Sequence, residues 1–122
     1  MSTKSKLVQQ LGVVAGFANP RASLEQYRTP PDLAAQLVHT ADLQGDIDGR
    51  TVVDLGTGTG MLALAAALRG PRRVVGVDLD PDPLSTAAAN QRRVGTATDV
   101  DWVRGDATRV PLAPDDPTTV VM

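Results

Sequence analysis

Hydrophobic positions along this chain follow two different periods, and the switch between them divides it into elements. Near the start, Leu7, Leu11 and Val14 recur one helical turn apart, which predicts a short amphipathic helix. The stretch that follows, GFANPRASLEQYRTPP, breaks the pattern with glycine, asparagine and proline. Thr29 ahead of Pro30 predicts the next helix start, a hydroxyl cap before a residue with no amide hydrogen to satisfy. Leu33, Leu37 and Ala41, with Ala34 and Val38 beside them, predict its buried stripe, which ends near Gly45. The period then shortens. TVVDL (51–55) reads as a buried strand, MLALAAALRG as a helix so apolar that it must be sandwiched, and RVVGVDL (73–79) as a second strand. Asp80 or Asp82, each followed by proline, caps a helix through LSTAAANQRRVG; DVDWV then supplies a third strand and TTVVM a fourth.

Strands joined through helices by connections this short form a parallel sheet with right-handed crossovers, so the fold class is α/β. At 122 residues the chain fits one domain, without repeats or low-complexity tracts. With 42% hydrophobic and 21% charged residues the composition is that of a soluble globular chain, and no apolar run approaches the roughly 18 residues of a membrane span. Without cysteine there is no disulfide framework, thiolate zinc site or cysteine nucleophile. The opening MSTKSKLVQQLGVVAGF has a basic beginning, but Gln9 and Gln10 interrupt its apolar residues and no cleavage site follows, so the expected location is the cytoplasm. A net charge of −2 means that any nucleic-acid surface must be local. The acids are almost all aspartate, with Glu25 the only glutamate, and arginine far outnumbers Lys4 and Lys6, which points to a GC-rich source.

Between the first strand and its helix lies Asp54-Leu55-Gly56-Thr57-Gly58-Thr59-Gly60, where a ligand meets the carboxyl end of a strand and a helix amino terminus. Three ligand classes compete for such a loop. A nucleoside-triphosphate loop needs a second glycine five residues after Gly56 and then lysine, but Met61 stands there and no lysine follows. A dinucleotide fingerprint needs glycine or alanine three residues beyond Gly58, and Met61 fills that place too, which demotes this class without eliminating it. In the remaining pattern, Asp-x-Gly-x-Gly-x-Gly, the glycines let the main chain approach a ligand and the carboxylate before them faces the same space. A pyrophosphate would be repelled there. S-adenosylmethionine offers an α-amino group, a carboxylate for the helix end and a cationic sulfonium.

A second acid is expected at the tip of the next strand, where a ribose donates two hydroxyls; Asp78, 22 residues after Gly56, meets the spacing of roughly 20 for this crossover. DLDPDP also suggests a calcium loop, but Pro83 stands where glycine is needed and Ala89 where glutamate is needed, so no metal is expected. After the third strand, Asp106 in RGDA is placed to accept from an adenine amine, or is simply a turn aspartate.

Together, GF-NP (16–20), LEQYRTP (24–30), DLGTGTG (54–60), VGVDLD (75–80) and GDA (105–107) closely resemble the archaeal and eukaryotic ribosomal-RNA adenine-N6 methyltransferases of the methyltransferase-like 5 kind. The resemblance runs from Gly16 to Met122. It implies a Rossmann-like class I methyltransferase fold whose first four parallel strands are ordered 3-2-1-4, with an N-terminal helix and cofactor-closing segment over 1–29 and the S-adenosylmethionine-binding domain over 30–122. EQYRTP looks like the segment that closes over the methionine end of the cofactor, so Gln26, Tyr27 and Thr29 join the cofactor set. The rest of that set is Asp54, Gly56, Thr57, Gly58, Gly60, Asp78, Leu79, Asp106 and Ala107.

In this family the fourth strand runs into Asn-Pro-Pro-Phe, whose asparagine side chain and a proline carbonyl accept from the weakly nucleophilic adenine N6 amine while the aromatic ring stacks on the unstacked base. That motif would follow Met122, so no catalytic residue is assigned and the chain as it stands is expected to be inactive. His39 reads as a solvated residue on a helix flank, Trp102 as core, and Arg92 and Arg93 as favouring their helix carboxyl end. The fourth strand is expected to lie at an exposed edge and to favour self-association. The resemblance implies an RNA substrate and a small zinc-containing activator subunit as partners. A non-catalytic S-adenosylmethionine-binding module and a protein-glutamine methyltransferase stand as alternatives.

Overall fold

Thr3 starts the first helix: its hydroxyl accepts from the Lys6 amide at 3.1 Å, and α1 runs Lys4–Leu11 with Leu7 and Leu11 buried. The computed structural model describes residues 3–14, 16, 29–106 and 117–121. Val14 is buried with the two leucines, as their spacing predicts.

The second helix, α2 (Pro31–Leu43), differs from the sequence expectation in its start and in its buried face. Its N-cap is Pro30 and no side chain caps it, so Thr29 does not act as a hydroxyl cap. A residue that precedes proline is pushed out of the helical region; Pro30, followed by Pro31, is extended at φ −60°, ψ 144°, and the helix begins one residue later. The buried face is Ala34, Ala35 and Val38, whereas Leu33 and Leu37 are half exposed. Here α2 packs against α1 and the central helix α3 (Met61–Ala67). Its alanines allow close approach while Leu7 and Leu11 supply the bulk, which rotates the stripe away from the larger leucines. His39, expected in solvent, is half-buried with Nδ1 3.2 Å from Nη2 of Arg69. The same guanidinium holds Asp42 at 2.8 Å and donates to the Thr3 carbonyl at 3.3 Å, tying the start of α1 to α2 and the end of α3.

Four parallel strands, β1 (Thr51–Leu55), β2 (Arg73–Asp78), β3 (Val100–Arg104) and β4 (Thr118–Val121), form one sheet in the order β3-β2-β1-β4. This is the order that the resemblance implied. Val52, Val74 and Val100 face the cluster formed with α1, α2 and α3; Val53, Val75 and Val77 form a second cluster on the other face. All seven residues of α3 are buried, so its continuous apolar run is explained by contact with α2 on one side and the sheet on the other. Full burial of Leu64 alone contributes about 2–3 kcal/mol. The fourth helix, α4 (Pro81–Val94), settles which aspartate caps it: Asp80 accepts from the Asp82 amide at 3.0 Å, and Gly95 ends the helix at φ 72°. Among the described residues no helix is long and apolar enough to cross a membrane.

Candidate functional site

The site is built where β1 and β2 end side by side. In-register pairing sets Asp54 beside Gly76 and Leu55 beside Val77, so the chain leaves β1 next to the tip of β2. Gly56, Gly58 and Gly60 all adopt positive φ (71°, 56° and 92°), which turns the loop back sharply enough to start α3. Hydrogen bonds then lock it. The Thr57 amide donates to the Val77 carbonyl at 2.9 Å, the Gly58 amide to Asp78 Oδ2 at 2.8 Å, and the Gly60 amide to the Thr57 carbonyl at 2.9 Å. Asn90 Nδ2 of α4 donates to the Thr59 carbonyl at 3.0 Å.

Asp78 is half-buried at the tip of β2, with Oδ2 on the Gly58 amide and Oδ1 accepting from the Asp80 amide at 3.0 Å. It therefore serves the loop and the start of α4 together. A carboxylate offers about four lone-pair sites, so two such bonds leave each oxygen able to accept once more, as a diol requires. Next to it in sequence, Leu79 is a large apolar side chain that is 70% exposed. A side chain at Gly56 would meet nothing within 4 Å, so the space above the loop is open. Asp106 is exposed beyond β3, close in sequence to Gly105, whose amide donates to the Asp78 carbonyl at 2.9 Å. The open loop, the half-buried Asp78 carboxylate and the exposed Leu79 side chain together offer main-chain, acceptor and apolar groups of the kinds that an adenosine-type ligand needs.

Asp54 occupies a different place from the one its position before the glycines suggests. Its carboxylate lies beneath the loop: the residue is 2% exposed and Oδ2 accepts from the Thr57 hydroxyl at 2.7 Å. Strand alternation explains this, because Asp54 shares the face of Val52, which looks toward α3. Burial pushes its carboxyl up to about 7; the Thr57 and Ala63 hydrogen bonds oppose that rise, and the nearby Asp78 charge adds to it. Thr29 is half-buried just ahead of α2, while Gln26, Tyr27 and Ala107 lie outside the described residues. Among the described residues, no group of three or more His, Cys, Asp or Glu side chains could hold a metal ion.

Two supports of the loop were not expected from the sequence. Asn90 sits at a stripe position of α4 otherwise filled by Leu84 and Ala87, and a polar residue in an apolar stripe was the available signal. The other is Trp102, in contact with Gly60 and Gly76, residues distant in sequence, so no local pattern could disclose it.

A family model described as a methyltransferase domain matches residues 52–122, which takes in β1, the glycine loop and the rest of the sheet. The chain belongs to this methyltransferase family. The rRNA N(6)-adenosine-methyltransferase Mettl5 of Drosophila melanogaster is 43% identical over 102 residues, 83% of this chain and 47% of that protein. A candidate RNA methyltransferase from Pyrococcus horikoshii superposes with a TM-score of 0.82 at 35% identity, over 92% of this chain and 54% of that one. An RNA methyltransferase from Salinibacter ruber, solved with S-adenosyl-L-homocysteine, superposes with a TM-score of 0.58 at 29% identity, over 69% of this chain and 53% of that one. The methyltransferase chain spans about half the length of the curated relatives it matches.

Proposed function

We propose that this methyltransferase domain holds S-adenosylmethionine for an enzyme that methylates adenine N6 in ribosomal RNA. The observation that carries the RNA reading is the 43% identity to an rRNA N6-adenosine methyltransferase, which extends well beyond the glycine loop to 102 residues. Bound S-adenosylmethionine supplies a methyl group on a positively charged sulfur, which an amine can attack. The chain's own residues bind and orient: Asp78 accepts the ribose hydroxyls, the Gly56–Gly60 main chain lies along the amino-acid portion, Leu79 packs on the base, and Asp106 accepts from the adenine amine. Asp54, buried below the loop, contributes negative potential beneath the ligand's cationic groups. Gln26, Tyr27, Thr29 and Ala107 complete the set on the strength of the resemblance.

Transfer to RNA is proposed for the protein as a whole, in the cytoplasm and with the small zinc-containing activator implied by the resemblance. Val120, 53% exposed on the edge strand β4, is the proposed self-association surface. Calorimetry on the 122-residue chain should show S-adenosylhomocysteine binding that Asp78→Ala abolishes. Tight binding of NADH with none of S-adenosylhomocysteine would overturn the cofactor reading. For the substrate, labelled methyl should appear in rRNA; labelling of a release-factor protein in its place would favour the protein-glutamine alternative.

A further inference from the structure

We propose that Trp102, oriented by Gln91, is a positioning residue that sets the height of the glycine loop and so tunes its affinity for the cofactor. The inference rests on the reading of the loop as a S-adenosylmethionine cradle. Trp102 lies on β3 directly beside Gly76 of β2 and faces the helices. Its six-membered ring edge touches two glycines at once. A Cβ at Gly76 would stand 2.7 Å from both Cε3 and Cζ3, and one at Gly60 would stand 2.6 Å from Cη2. The ring therefore spans from the middle of β2 to the last residue of the loop, where α3 begins. The same added Cβ at Gly76 would stand 2.9 Å from Oγ1 of Thr57, so indole and loop hydroxyl flank one backbone step.

Bonds and contacts divide the work. The hydrogen bonds of Thr57, Gly58 and Thr59 draw the loop inward toward β2 and α4. The indole opposes further inward movement, because its ring edge is the nearest group beneath Gly60, with Ala87 Cβ beside it. Rotation of the ring would swing its edge away from both glycines, and one bond prevents this: Nε1 donates to Oε1 of Gln91 at 3.0 Å. Gln91 is held in turn by donating from Nε2 to Asp99 Oδ1 at 3.2 Å. The line Asp99–Gln91–Trp102–Gly60 thus runs from the amino end of β3 to the ligand loop. Gln91 itself lies on α4, outside the set of residues assigned to the cofactor.

The test uses Gln91→Leu, which keeps the bulk near the ring but removes the acceptor. Amide hydrogen exchange in the ligand-free chain should accelerate about tenfold at Thr57, Gly58 and Gly60, the factor expected for one ordinary hydrogen bond, with Val53 and Val75 unchanged. A bond that merely strengthens α4 against β3 would change exchange near Val100 and leave the loop tracking the strands, and that result overturns the proposal. The double variant Gln91→Glu with Asp99→Asn restores an acceptor for the indole and a donor for the new carboxylate, and should bring loop exchange back. Trp102→Leu should accelerate the same three amides; loop exchange unchanged in both single variants refutes the idea. Affinity for S-adenosylhomocysteine should fall about tenfold in Gln91→Leu and recover in the double variant; affinity unchanged while exchange rises refutes the tuning. Should the wild-type chain bind no S-adenosylhomocysteine, the cofactor reading fails and the tuning of affinity with it, while exchange still decides whether Trp102 sets the loop.

Discussion

Replacing Asp54 by asparagine tests the electrostatics of the loop most directly. The carboxyl is 2% exposed and its pKa is raised from 3.8 to about 7, chiefly because burial strips water from the charged form. When protonated, it can accept from the Ala63 amide through one oxygen and donate to the Thr57 hydroxyl through the other, since a hydroxyl both gives and accepts. Asparagine reproduces that pattern without a charge. An acid whose folded pKa lies above its unfolded value stabilises the fold fully below the unfolded pKa, and the contribution disappears as pH rises through the folded pKa. For Asp54 the window runs from about pH 4 to about pH 7, and the shift corresponds to roughly 4 kcal/mol in total. Urea melts of both proteins between pH 5 and pH 8 should therefore show wild type losing stability relative to Asp54→Asn by up to about 1.4 kcal/mol per pH unit, levelling above pH 7. Taking the difference cancels whatever the two proteins have in common. Parallel profiles over the whole range would mean that Asp54 is ionised throughout, which would refute the role given to burial.

Other expectations follow from the same contacts. Binding of a ligand with a cationic sulfonium should expel the Asp54 proton, so affinity for S-adenosylmethionine should rise between pH 6 and pH 7 by up to about tenfold, a dependence absent in Asp54→Asn when measured by calorimetry. Gly76→Ala puts a methyl 2.7 Å from the indole without any positive-φ strain, so it should cost about 1–3 kcal/mol in a thermal melt; Gly76→Ala combined with Trp102→Val should recover part of that. Arg69→Met removes the 2.8 Å pair with Asp42 and the bonds to His39 and Thr3, and should lower stability by about 1–3 kcal/mol, with a double-mutant cycle against Asp42→Ala assigning the share of the pair. S-adenosylhomocysteine at a hundred times its dissociation constant should add about 2.7 kcal/mol, raising the melting temperature by roughly 10 °C.

Elements whose reason is local were legible in the amino-acid sequence. The strands at 51–55 and 73–78, the buried helix between them and the aspartate-proline start of α4 each follow from side-chain period, turn residues and capping within a few positions. The glycine loop and Asp78 were readable because a parallel crossover has a nearly constant length, which converts a spacing of 22 residues into adjacency in space. Three things needed the tertiary structure. The rotation of α2 was decided by which neighbour supplies bulk, for Leu33 and Ala34 both lie within its apolar face and only contact with Leu7 and Leu11 selects between them. The burial of Asp54, and with it the rise of its pKa, came from α3 closing over that face of β1. The seat of Gly60 on Trp102 joins residues 42 positions apart through the lateral packing of β2 and β3. Sequence determines what each segment prefers; only the assembled layers determine which of its side chains meet water, and that exclusion of water gives the carboxylate and the indole their roles.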